Sequence, residues 1–267
     1  MVIIGELINS TRARVRKAIE QEDAAFIQNL AKSQAAAGAH WIDVNAGAFA
    51  ADEAGKLQWI IKAVRQATDA ALCVDSPRPE AVEAGLALAG SGAVLNSITA
   101  ERARYGLLLP LIRKYDCGVI ALAIDDRGLT EDTDKIYSVS DGLIKRLEDD
   151  GVDPGRIFAD PLVRPVSTNT EYARAALSLV ERVTANHPEV HRVCGLSNVS
   201  FGLPRRRLVN QVFLAMAVAK GLDCAILDPL DRRMMAHVLA AEMLAGRDQF
   251  CMGFIAAERN GKLGDLD

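Results

Sequence analysis

The sequence has little of what covalent and metal chemistry usually draws on. Its 267 residues include only four histidines and five cysteines, and no two cysteines form a C-x-x-C pair. Zinc sites use His and Cys in compact sets. His40, His187, His191 and His237 fall instead at expected strand starts or inside helices, so no zinc is expected. Hard cations take carboxylates, which leaves Mg²⁺ on Asp75 and Asp160 open. Neither Ser197 nor Ser200 has a histidine at a neighbouring strand end, so a nucleophilic triad has no base. There is no G-x-x-x-x-G-K-[ST] and no G-x-G-x-x-G after a strand, so nothing local cradles a nucleotide. A formal net charge of −4 argues against general binding to nucleic acid or anionic membranes, which needs a positive field. No apolar run is long enough to cross a bilayer, and Met1-Val2-Ile3-Ile4 has no basic stretch before it. A cytoplasmic protein with reduced thiols is expected, with Cys73, Cys117, Cys194 and Cys224 serving as small buried hydrophobes.

What is present is a recurring unit: a short apolar run that ends on a carboxylate or amide, then an amphipathic helix. The runs are Val2–Ile4, stopping at Glu6; His40–Asn45; Leu72–Ser76; Ala93–Ser97; Val119–Asp125; Ile157–Pro161; a stretch through Val193-Cys194-Gly195-Leu196-Ser197-Asn198-Val199-Ser200; and Cys224–Pro229. Between them, Asp23 is placed to cap a helix that buries Phe26, Ile27, Leu30, Ala31 and Ala35 and stops at Gly38. Helices are also expected over Glu53–Ala70, Leu208–Lys220 and Asp231–Ala245, and Asp126–Lys135 reads as a long polar loop. Eight strand-helix units in this length fit a parallel sheet covered by helices. An open doubly wound sheet has the same local pattern, but eight regular units favour closure, so the expected fold is a (β/α)₈ TIM barrel, α/β in class. Nothing divides the chain, and residues 1–267 are read as one domain.

Active sites of such barrels lie at the C-terminal ends of the strands. Those ends collect Glu6, Asp43, Asn45, Asp75, Asn96, Asp125, Asp160, Asn198 and Asp228. Asp and Asn also mark where strands end and caps begin, and any one of these positions reads equally well that way. The recurrence on so many strands argues for a site. Carboxylates accept from paired ring N–H and amino groups, and amides both donate and accept, so this set suits the edge of a flat, neutral aminopyrimidine. The run Arg205-Arg206-Arg207 opens the helix after the seventh strand. It is either a solvated helix start, a dimer contact, or the source of one arginine that reaches the site.

Several motifs, taken in order, resemble the methyltetrahydrofolate:corrinoid methyltransferases. They are Ile3 to Asn9 (Ile-Ile-Gly-Glu-x-Ile-Asn), Asp43 to Gly47, Cys73 to Ser76, Asn96-Ser97, Asp160-Pro161-Leu162 and Gly195 to Ser200. These are pterin-binding barrels related to the folate domain of cobalamin-dependent methionine synthase and, more distantly, to dihydropteroate synthase. The resemblance spans essentially the whole chain. It implies that Asp75, Asn96 and Asp160 hold the pterin edge, that Arg206 is the site arginine, and that Asn198 is the catalytic amide at N5, the nitrogen carrying the methyl group. Glu6, Asn9, Asp43, Asn45 and Ser197 are further candidates. Phe201 stands where some relatives have a glutamine, which replaces a polar contact with an aromatic wall.

The implied substrates are tetrahydrofolate or methyltetrahydrofolate and a corrinoid (cobalamin). No corrinoid-binding Asp-x-His-x-x-Gly loop is present, so the corrinoid is expected on a separate partner protein, and no tightly bound metal is expected. Relatives of this kind are commonly homodimers, and a homodimer is expected. Three alternatives compete with this reading. A dihydropteroate synthase-like condensation lacks its Ser-Thr-Arg-Pro-Gly loop; the matching place reads Asn45-Ala46-Gly47-Ala48-Phe49. A first-step methyl-donor:corrinoid methyltransferase of the zinc type lacks the ligand cluster. A non-catalytic pterin-binding module sits poorly with an intact Asn198.

Overall fold

The computed structural model describes residues 1–263. Eight parallel strands close into a barrel in sequence order: β1 (Val2–Asn9), β2 (Trp41–Asn45), β3 (Ala71–Asp75), β4 (Val94–Thr99), β5 (Gly118–Leu122), β6 (Ile157–Asp160), β7 (His191–Gly195) and β8 (Cys224–Leu227). β8 pairs back onto β1, with Val2 opposite Cys224 and Gly5 opposite Leu227. The expected (β/α)₈ fold is what forms.

Strand periodicity sets the layers, because successive side chains point to opposite faces. Outward residues such as Ile42, Val44, Leu72, Val74, Leu95 and Val119 pack under the helices in one large core. Inward residues of the lower barrel form a separate plug of Ile4, Cys73, Val94, Ile120, Phe158, Val193 and Cys224, with Trp41 and Ile226 against it. Trp41 meets Phe158 edge-on at 5.9 Å between ring centroids. The cysteines of the plug are fully buried, as small hydrophobes. Two residues further along each strand the inward position becomes polar on most strands: Glu6 after Ile4, Asp43 after Trp41, Asp75 after Cys73, Asn96 after Val94, Asp160 after Phe158 and Asp228 after Ile226. The period of two thus places an apolar floor beneath a polar mouth.

The helices are α1 (Ala13–Glu20), α2 (Ala24–Ala36), α3 (Glu53–Arg65), α4 (Pro79–Ala89), α5 (Arg102–Tyr115), α6 (Thr133–Asp149), α7 (Tyr172–Asn186), α8 (Arg206–Ala219), α9 (Arg232–Leu244) and α10 (Met252–Arg259). Asp23 caps α2 by accepting from the Phe26 N–H at 3.0 Å, and Gly38 follows that helix at φ +103°. Asp231 caps α9 in the same way, through Met234.

Four local expectations are corrected. β1 runs to Asn9 rather than stopping at Glu6, continuing past an irregularity in its pairing with β2 between Gly5 and Ile8. α3 ends at Arg65, not Ala70, because Thr68 Oγ1 captures the Ala70 N–H and offers the backbone a competing partner. β5 ends at Leu122, and Asp125 folds into a turn in which its carboxylate takes the Arg127 N–H and guanidinium, so it leaves the mouth. β7 stops at Gly195, and Leu196–Ser200 is a 3₁₀ turn rather than more strand. The sequence pattern also gives no sign of α10.

Candidate active site

The mouth is assembled from two hydrogen-bonded groups on opposite sides of the barrel. On the β2–β4 side, Asn45 Nδ2 donates to Asp75 Oδ2 at 3.0 Å. Its Oδ1 accepts from Ser10 Oγ at 3.0 Å and from the Gly47 N–H at 2.9 Å. The Asn45 amide is therefore engaged on both ends, and its task is to orient Asp75. Below it, Asn96 Nδ2 donates to Asp43 Oδ1 at 3.3 Å. Asp43 is only 3% exposed, so it lies under the mouth rather than on its surface.

On the β7–β8–β1 side, Glu6 accepts from Arg12 Nη2 at 2.7 Å and from Ser197 Oγ at 3.4 Å. Arg206, at the start of α8, donates from Nη2 to the Ser197 carbonyl at 2.7 Å and from Nε to Ser200 Oγ at 3.1 Å. It clamps both ends of the 3₁₀ turn that carries Asn198. Asn198 itself is exposed, and among the described residues its side chain has no hydrogen-bond partner. It lies over Gly195, where an added Cβ would meet Asn198 Nδ2 at 3.0 Å. A glycine at the end of β7 is what lets the amide fold across the rim.

Asp160 stands at the end of β6, and its Oδ1 accepts the Leu162 N–H at 2.8 Å. Two candidates have more local surroundings. Asn9 Oδ1 accepts from the Thr11 N–H and Oγ1 in a turn beyond β1. Phe201 is 65% exposed, and its ring lies 5.8 Å from the Arg206 guanidinium carbon.

The carboxyls of the mouth are unusually reluctant to ionise. Burial pushes Asp160 up to about 7, with the Leu162 N–H opposing it weakly. Burial likewise pushes Asp75 up to about 6, against the Asn45 hydrogen bond and Arg104. Asp43 is raised well above the usual range, first by burial and then by the neighbouring Asp75. Glu6 is raised too, by burial, with Arg12 pulling the other way. Groups titrating near neutrality can accept a hydrogen bond as carboxylates or hold a proton as acids, which suits a heterocycle edge that gains and loses protons.

Some supporting residues carry no signal in the sequence. Arg104 on α5 donates to the carbonyls of Ser97, Ser76 and Pro77, tying the loops after β3 and β4 together beside Asp75. Ser76 donates to the buried Glu53 at 2.6 Å. An arginine and a glutamate early in amphipathic helices look like any solvated first turn. Among the described residues no group of three or more His, Cys, Asp or Glu side chains is placed to hold a metal ion, and no helix is long and apolar enough to cross a membrane.

The barrel thus has an apolar plug beneath a mouth of amides and carboxyls with raised pKa values, and at the rim an asparagine unpartnered among the described residues lies over a glycine. The pterin binding enzyme model matches residues 5–228, so the chain belongs to that family. More particularly, the chain is 36% identical to the methylcorrinoid:tetrahydrofolate methyltransferase of Eubacterium limosum over 268 residues, covering 100% of this chain and 99% of that one. It is 28% identical to methionine synthase of Mycobacterium tuberculosis over 85% of this chain, which is 20% of that longer protein. Among solved structures, dihydropteroate synthase of Xanthomonas albilineans superposes with a TM-score of 0.68 at 17% identity, covering 92% of each chain. That of Yersinia pestis superposes at 0.63 and 15% identity, over 91% of this chain and 92% of that one. These last two show the shared fold.

Proposed function

We propose that this protein transfers a methyl group between N5 of tetrahydrofolate and the cobalt of a corrinoid carried by a separate protein, and that Asn198 assists protonation of N5. The full-length likeness to a methylcorrinoid:tetrahydrofolate methyltransferase supports the reaction class. The observation that carries the mechanism is the state of Asn198, exposed on the rim and free of any partner among the described residues.

A methyl group on a tertiary amine is a poor electrophile until the nitrogen is protonated. Asp75, Asn96 and Asp160 hold the pyrimidine edge and fix the ring. The Asn198 amide donates to the N5 lone pair, then turns and accepts from N5–H⁺ as that charge develops. Stabilising the changed state more than the starting one accelerates the step, and an amide does so without titrating. Arg206 fixes the turn, so the amide is preset rather than ordered during reaction. The corrinoid supplies the nucleophilic or methyl-bearing cobalt, and nothing in this chain needs to be a nucleophile. The same site serves either direction. The homodimer and the cytoplasmic location expected from the sequence belong to the same proposal.

The test follows the absorbance change of a corrinoid protein mixed with methyltetrahydrofolate. Asn198→Ala is expected to slow it by roughly 10²- to 10³-fold, the typical loss for one such donor. Folate affinity should fall much less. Equal losses in rate and affinity would reduce Asn198 to a binding residue.

A further inference from the structure

Resting on the pterin reading above, we infer that Arg104 is the positioning residue for the pyrimidine edge: its guanidinium fixes the spacing of Asp75 and Asn96 and supplies the positive charge that acts on the Asp75 carboxylate. Arg104 is the third residue of α5 and half-buried. It donates from Nη2 to the Ser97 carbonyl at 2.6 Å and to the Ser76 carbonyl at 3.3 Å, from Nε to the Ser97 carbonyl at 3.2 Å, and from Nη1 to the Pro77 carbonyl. Ser76 and Ser97 are the residues that follow Asp75 and Asn96. A guanidinium is planar and carries its N–H groups in a fixed fork, so carbonyls of two segments bound to one fork are held at one separation. The Ser76 N–H adds a further link by donating to the Asn96 carbonyl at 3.2 Å.

The charge of Arg104 acts through space. Its hydrogen bonds end on backbone oxygens, and the carboxylates that bear on it are Glu101 and Asp75. Glu101 in turn accepts from Thr99 Oγ1 at 2.8 Å. The groups facing Asp75 are Asn45 and Asp43 on β2, Glu53 on α3 and Arg104 on α5, with the Cys73 thiol on its own strand and the Asn96 amide on β4 opposite it. Glu53 has its own cation, Arg78 Nε at 3.5 Å. Burial and Glu53 oppose ionisation of Asp75, Asn45 and Arg104 favour it, and the balance leaves it at about 6. Without the Arg104 charge, Asp75 would hold its proton to higher pH and offer a pterin's N–H groups a poorer acceptor.

The test compares wild type with Arg104→Lys, which keeps the charge and loses the fork, and with Arg104→Met, which keeps neither. The first readout is the NMR titration of the Asp75 carboxyl carbon in ligand-free protein, its signal identified by its absence from Asp75→Asn. The midpoint should stay in place in Arg104→Lys and rise by roughly half a pH unit in Arg104→Met, less than the loss of a direct ion pair would give. The second readout is calorimetric titration with methyltetrahydrofolate at pH 8, where Asp75 is ionised in all three proteins. Both variants should bind about tenfold more weakly, the loss of one charge-assisted hydrogen bond. A midpoint unmoved in Arg104→Met, or moved equally in both variants, would overturn the inference, because loosened packing affects the two alike. An Arg104→Lys that binds the folate as wild type does would also overturn it. Should Arg104→Met misfold, Arg104→Gln removes the charge while keeping an amide donor, and the same rise in midpoint is expected. Failure of wild type to bind the folate would remove the pterin reading itself, and the carboxyl titration, which needs no ligand, would still decide whether Arg104 acts on Asp75.

Discussion

Asp160 shows how a single carboxyl records the cost of burial at the mouth of the barrel. Its value near 7 comes from burial with one backbone N–H for company. A carboxyl whose folded value lies above its unfolded one, near 4, takes up a proton on folding between those two values. Stability therefore falls as pH rises from about 4 to about 7, and above 7 the full penalty of a buried charge remains. Asp75, at about 6, acts in the same direction over a narrower window. Asp160→Asn is expected to remove part of that slope and to raise stability at pH 8 by more than about 1 kcal/mol, since each tenfold change in proton affinity on folding corresponds to about 1.4 kcal/mol. It should weaken pterin binding at the same time. Denaturant unfolding of the ligand-free protein at pH 5 and pH 8 measures this; equal stability changes at both pH values would mean that Asp160 is not perturbed as described. Asn45 and Asp75 show what the sequence conceals at this scale. Both end strands and both read as candidate ligands, yet Asn45 is consumed by Asp75, Ser10 and Gly47. Residue type and strand position give the candidates; which of them the neighbours leave free depends on partners dozens of residues away.

At the scale of elements, the site rests on two departures from regular strand. The first is in β1, where the pairing shift leaves the Leu7 N–H to Gln34 Oε1, at 3.0 Å, from the fully buried face of α2. Gly5 makes room for it: an added Cβ would come within 2.4 Å of that oxygen. Glu6 is presented between these two residues. Gln34→Leu would strand the Leu7 N–H in a dry interior, and a destabilisation of about 1–3 kcal/mol is expected by chemical denaturation. No loss of stability would show that the kink holds without the glutamine. The second departure is the 3₁₀ turn after Gly195. The apolar run through Val193 and Leu196 reads as one strand, because Leu196 and Val199 are as buried as strand residues. Their burial comes instead from packing under β8 and α8, and it is the turn that swings Asn198 outward. Alternation alone could not distinguish the two, whereas the strand-helix order, the Asp23 cap and the Gly38 stop were local and legible.

For the whole molecule, the barrel was readable because each unit repeats the same signals and because the inward face changes character at one level on most strands. The apolar plug and the polar rim above it follow from the period of two, strand by strand. The division of that rim into a β2–β4 group and a β7–β8–β1 group did not, since closure brings β8 beside β1 only in three dimensions. The fold is shared with dihydropteroate synthases at 15–17% identity, and a fold of this kind hosts many chemistries because the rim residues, not the scaffold, decide the reaction. The most direct test is a crystal structure with methyltetrahydrofolate bound. The pyrimidine edge is expected on Asp75, Asn96 and Asp160, with N5 within hydrogen-bonding distance of the Asn198 amide. A pterin lodged anywhere else on the barrel, or one in the mouth with N5 turned away from Asn198, would contradict the proposed chemistry.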